Sequence, residues 1–234
     1  MSKRSAFLMV SLAASLALPL GAAPAEPKAP AAKPAAPPAM DEGRLSERAH
    51  QDRTIVYFLR QPETHTFDLY HDYTESRVGV DRYVNVVRAG STVSNPSARD
   101  LDHGTPLSVE LLQGDAAVAA AQADHETVPP GGEVVVAHFP AVAKGQSVRL
   151  RISESYTDPG SYRLEGNDLV FDRSLGRPRN AVVLPAGWML TVLTIPATVS
   201  ETPDGRIRLD FENDRPDDIA VLIKAQRRGP SHLP

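Results

Sequence analysis

The chain has 234 residues, no cysteine, a single tryptophan and a net charge of −4 at pH 7. The missing cysteines exclude disulfides, thiolate metal sites and cysteine nucleophiles, and a mildly acidic chain without a basic block is a poor match for nucleic acid or an anionic membrane surface. A packed core must therefore carry the stability, and the ~180 residues that read as folded suffice to bury about 70% of the surface their unfolded chain exposes.

Residues 1–25 read as a secretory signal peptide. Lys3 and Arg4 precede an uncharged, mostly apolar run from Ser5 to Leu20, and Ala23 and Ala25 supply the small residues before the expected cut. The run is shorter than the ~20 residues of a spanning helix, so no membrane span is expected after cleavage. Loss of Lys3 and Arg4 moves the net charge from −4 to −6. Residues 26–50 read as a spacer, because proline recurs among alanines as far as Met40 and such a composition favours extended chain over a core. The expected compartment is the periplasm or the exterior.

A folded domain is expected over residues 51–228, with a short tail at 229–234. "SVRLRISE" puts Val148, Leu150 and Ile152 on one face and Arg149, Arg151 and Ser153 on the other, and "RIRLDFE" alternates in the same way. Both read as half-buried antiparallel strands. "TIVYFL" from Thr54, "EVVVAHF" from Glu133 and "WMLTVLTI" from Trp188 are nearly continuous in apolar residues, which predicts central strands or strands covered on both faces. Turn signals at Gly166-Asn167, Asp204-Gly205 and Asn213 to Asp218 separate about ten strand-like runs. Only Asp115 to Glu126, rich in alanine behind a capping aspartate, reads as a helix. This pattern predicts an all-β, antiparallel β-sandwich with at most one short helix. The alternative is two tandem sandwiches, 51–128 and 133–228, divided at Pro129–Gly132.

The chemistry-bearing motifs are few. There is no His-Glu-x-x-His, no Gly-x-Ser-x-Gly and no phosphate-cradling loop, and no cofactor is expected. In "RDLDHG", Asp100 and Asp102 alternate as calcium ligands would, but no third acid follows in register. The pair reads as a self-capped loop, with a weak metal site at Asp100 and Asp102 as the alternative. His71, Asp72 and Glu75 cluster in "YHDYTESR", yet alternation sends His71 and Asp72 to opposite faces of one strand. "GRPRNAVVLPAGWML" holds Arg177, Arg179, Asn180 and Trp188, the ingredients of a binding platform with one aromatic ring. The competing reading makes Pro185-Ala186-Gly187 a hairpin turn and packs Trp188 opposite Leu184 or Val183.

Two functional classes follow. One is an exported, non-catalytic binding or scaffold module whose partner is an envelope protein or a cell-wall glycan. The other is a small exported hydrolase with a loop-built site at Asp100, Asp102 and His103; an accessory domain of a separate enzyme is a further alternative that belongs with the first class.

Overall fold

The computed structural model describes residues 52–123, 126–215 and 217–229; the expected signal peptide and spacer, and most of the expected tail, lie outside them. Three sheets account for most of the described chain. The largest has eight strands in the order β13 (Thr198–Glu201), β14 (Ile207–Glu212), β11 (Arg179–Val183), β1 (Arg53–Leu59), β2 (Thr66–Glu75), β8 (Val148–Thr157), β4 (Thr92–Asp100), β5 (Pro106–Leu107). A four-stranded sheet runs β12 (Trp188–Leu193), β15 (Ile219–Arg227), β10 (Asp168–Leu175), β9 (Tyr162–Glu165). A three-stranded sheet runs β3 (Arg82–Val86), β7 (Glu133–His138), β6 (Val109–Gln113), and the helix α1 (Gly114–Ala123) lies against it. The result is a sandwich-like all-β fold with one helix. Pairing is antiparallel except between β1 and β11, which run parallel, so the expectation of a purely antiparallel fold needs that one amendment.

The large sheet is the common wall. Its inner face packs on the four-stranded sheet through Tyr57, Phe67, Val182, Leu209 and Phe211 against Phe171, Trp188 and Ile223. Further along, Tyr73, Leu150 and Ile152 pack on Tyr83 and Ala137 of the three-stranded sheet. Ala117 and Ala121 of α1 cover the far side of that sheet, over Val134 and Val136. Strand β7 is thus enclosed on both faces, which is why its sequence is unbroken in apolar residues. Strands from both sides of Pro129–Gly132 share the large sheet, as β2 and β8 do over ten paired positions.

Two sequence expectations are corrected. The run beginning at Trp188 forms β12, the edge of its sheet, with Met189 and Val192 exposed. Trp188, Leu190, Leu193 and Ile195 join the core, and a register shift between Leu190 and Val192 breaks the alternation. Nor do β11 and β12 form a hairpin. The Pro185-Ala186-Gly187 link carries the chain from the large sheet to the four-stranded one, so Trp188 lies opposite Arg227 rather than Leu184 or Val183.

Candidate binding face

Of the sequence-singled residues, Trp188 is 2% exposed and sits in the core. Its indole N–H donates to Gln61 Oε1 at 2.9 Å, and the Arg227 guanidinium lies 4.6 Å from the ring. The ring therefore presents no open platform, and the binding expectation for Trp188 is corrected to a packing role. Asn180 is likewise buried, donating to the Arg177 carbonyl. Arg177 is half-buried. Arg179 points from the other face of β11, bonded to Asp52 and Thr54. Alternation explains the separation, because neighbouring positions on a strand face opposite ways.

Asp100 is a loop cap. Its Oδ1 accepts from the backbone N–H groups of Asp102 and His103, and its Oδ2 lies 2.7 Å from His103 Nδ1. These bonds, led by that from His103, hold its carboxyl below the usual range, while the same contact raises the exposed imidazole. Asp102 turns instead to Arg149. The two aspartates do not converge on one point, and among the described residues no group of three or more histidines and acids could hold a metal ion. In the other cluster, His71 is buried and Asp72 pairs outward with Arg151, while Glu75 is clamped by Arg77.

The outer face of the large sheet carries a different constellation. Register and alternation place Thr54, Val56 and Phe58 of β1 on this face, beside Asp68, Tyr70 and Asp72 of β2 and Arg151, Ser153 and Ser155 of β8. No other described strand or helix packs over it, since the two smaller sheets both lie on the inner side. The Phe58 and Tyr70 rings stand 5.8 Å apart, tilted by 41°, and roof a small apolar cluster of Val56, Ala181 and Val183. Beside them is a depression of about 310 Å³ bordered by Phe58, Asp68, Tyr70, Asn95, Ser153 and Ser155.

Asn95 reaches this depression because β4 is irregular. Its register against β8 shifts between Ser94 and Ser97, and Asn95 takes φ 52°, one of two non-glycine residues at positive φ among those described. Pro96, which has no N–H to donate, fits such a break. A bulge bends the strand and re-aims a side chain, a device common beside binding sites.

Four arginines around the depression are paired with carboxylates, while the exposed Arg99 of β4, opposite Arg151, pairs with no described residue. Arg60 donates to both Asp68 oxygens at 2.9 and 2.6 Å, and Ser155 Oγ adds a third bond to the same carboxylate. Burial pushes Asp68 up, but the bonds from Arg60 and Ser155 outweigh it and hold the carboxyl below its ordinary value. Arg151 grips Asp72 with two bonds and lies 4.0 Å over the Tyr70 ring. Arg206 pairs with Asp204, and Arg208 with Asp210. Asn95 and Ser153, by contrast, make no side-chain hydrogen bond to any described residue.

The inner face holds a second polar region, sealed between sheets. The Tyr83 hydroxyl lies 2.8 Å from His71 Nδ1, and the Asn85 amide donates to both Glu154 oxygens at 3.1 and 3.0 Å. Glu154 is 4% exposed, and burial raises its carboxyl to about 7 against the bonds from Asn85 and Tyr156. Burial, followed by the charges of Arg53 and Arg177, keeps the His71 imidazole well below its ordinary range and hence neutral. These bonds fasten β3 to the large sheet.

Sequence reasoning singled out none of Phe58, Tyr70, Asn95 and Ser153. A signal existed: strict alternation in "TFDLYHDYTE" leaves Tyr70 on the polar face between Asp68 and Asp72.

No protein-family model and no curated protein matches the chain. Among solved structures it is similar to an M1 zinc metallopeptidase from Deinococcus radiodurans, at 14% identity and a TM-score of 0.42 over 74% of this chain and 41% of that one. An aminopeptidase N family protein from Idiomarina loihiensis is similar at 12% identity and a TM-score of 0.41, over 73% of this chain and 29% of the other. The chain thus matches less than half the length of these two structures.

Proposed function

We propose that this is an exported, non-catalytic binding module whose outer sheet face takes a polysaccharide of the cell envelope. The observation that carries the reading is the Phe58–Tyr70 ring pair, set on an uncovered sheet face beside a 310 Å³ depression bordered by hydroxyl and amide groups. Sugar rings offer flat C–H faces to aromatic rings and hydroxyl groups to flanking polar side chains, so both halves of the site have a counterpart in one ligand. Export rests on the signal-like residues 1–25. The hydrolase alternative is weakened because Asp100 and His103 pair on an open turn while Asp102 turns away to Arg149.

The test is retention of the purified chain on insoluble envelope polysaccharide. The double variant Phe58→Ala, Tyr70→Ala should reduce retention by at least about tenfold, the scale of losing aromatic contacts worth 0.5–1.5 kcal/mol each. Equal retention by a folded double variant, or no retention of the unaltered chain, would overturn the reading.

A further inference from the structure

Resting on the polysaccharide reading, we infer that the glycan is an anionic one and that Arg99 of β4 selects it, by pairing with a carboxylate or a phosphate on the sugar. Register places Arg99 beside the site. Ser97 lies opposite Ser153, which borders the depression and is itself opposite Tyr70. Arg99, two residues further on, lies opposite Arg151, whose guanidinium stands 4.0 Å over the Tyr70 ring. Two residues along a strand span about 7 Å, so a sugar chain stacked on Phe58 and Tyr70 and running toward β4 passes within reach of Arg99. Alternation agrees: Ala98 and Asp100, on either side, are buried on the inner face, while Arg99 is exposed on the outer one.

The charges at this end of the face leave Arg99 over. Arg151 is held by Asp72 through bonds of 2.6 and 2.7 Å, and Arg149 faces Asp102 at 3.7 Å. Arg99 forms no ion pair or hydrogen bond with any described residue. Three arginines here therefore meet two carboxylates, and two guanidinium groups stand opposite each other on adjacent strands. Like charges so placed are unfavourable in a sheet, and an anion beside them relieves the repulsion. Glu212, on the same row of the sheet, cannot supply it, because it sits on β14, five strands from β4 and about 24 Å away. A ligand carboxylate or phosphate can, since a guanidinium presents its N–H groups in the fork that such groups accept. The chain's net charge of −4 opposes an anionic ligand at long range. At 0.1 M salt that repulsion is screened beyond about 10 Å, so contact at Arg99 is decided locally.

The experiment titrates the full chain with two matched pairs of hexasaccharides. One pair is hexagalacturonate and its fully methyl-esterified form, which has the same backbone and no charge; the other is phosphorylated mannohexaose and plain mannohexaose. The unaltered chain should bind at least one anionic hexamer about fivefold more tightly than its neutral counterpart at low salt, the upper end for an exposed ion pair. That preference should vanish at high salt, and the pair that shows it tells carboxylate from phosphate. Arg99→Gln removes a side chain with no partner in the fold, so it should lose the preference while keeping the neutral affinity and the thermal midpoint. A folded Tyr70→Ala variant should bind none of the four. Equal affinity for charged and neutral hexamers, or a preference that survives Arg99→Gln, would overturn the inference and leave the polysaccharide reading standing so long as Tyr70→Ala abolishes binding. If none of the four hexamers binds, or if Tyr70→Ala binds as well as the unaltered chain, the polysaccharide reading falls and the inference falls with it.

Discussion

The two faces of the eight-stranded sheet treat polar groups in opposite ways. On the inner face, Glu154 and His71 are buried behind β3, and burial disfavours the charged form of each, raising Glu154 to about 7 and holding His71 well below its ordinary range. On the outer face, Arg60 and Arg151 reach across neighbouring strands to pair with Asp68 and Asp72, while the Asn95 amide, the Ser153 hydroxyl and the exposed Arg99 guanidinium bond to no described residue. Strand β8 shows the contrast within three residues: Ser153 and Ser155 look outward and Glu154 inward. Polarity on the inside serves to fasten sheets together, whereas on the outside it leaves selected groups available to a ligand.

The inner side should show the largest effects on stability and none on binding. Trp188→Ala removes a buried indole and its bond to Gln61, and should destabilise by about 3–5 kcal/mol in denaturant unfolding. Arg173→Met should cost roughly 3–5 kcal/mol. It strands Asp158, whose burial pushes its carboxyl up but whose bonds from Ser161 and Arg173 help hold it below the usual range.

Glu154 supplies a pH test. Its folded value of about 7 lies above the ordinary 4.5, so the folded state holds the proton more tightly than the unfolded state. Its contribution is fully present below 4.5 and is lost as pH rises through about 7. The stability of the unaltered chain relative to Glu154→Gln should therefore fall by roughly 3 kcal/mol between pH 4.5 and pH 7.5. His71, held low, acts in the other direction, losing stability as pH falls below 6.5, which is why the comparison with Glu154→Gln is needed to isolate one group. The smallest effect belongs outside: Asp72→Asn, at a half-exposed pair with Arg151, should change stability by less than about 1 kcal/mol. A loss of several kcal/mol there would show that the outer face is built for stability instead.

Much of the fold was legible because alternation survives in the sequence. The inward and outward residues of β8 and β14 follow from "SVRLRISE" and "RIRLDFE", and the alanine-rich segment is the helix α1. The parallel pairing of β1 with β11 was not legible, since it joins residues more than 120 positions apart and no local signal marks it. The edge position of β12 was hidden for a related reason: an apolar run looks the same whether both faces are covered or only alternate side chains are. The site failed differently. A lone tryptophan beside arginines fits a surface platform and a core position equally well, and here Trp188 faces inward with Arg227 lying over it. Phe58 and Tyr70 come together from adjacent strands, and Asn95 joins them only through a bulge. Pro96 inside a strand-like run was the one local hint of that bulge.

The most direct test is amide chemical-shift mapping of the chain titrated with an envelope glycan oligomer. The account predicts that shifts concentrate on Phe58, Tyr70, Asn95 and Ser153, and that the Trp188 indole signal stays in place because its ring lies on the other side of the core. Shifts centred on Trp188 and the segment from Arg177 to Asn180, with the outer face unmoved, would contradict it.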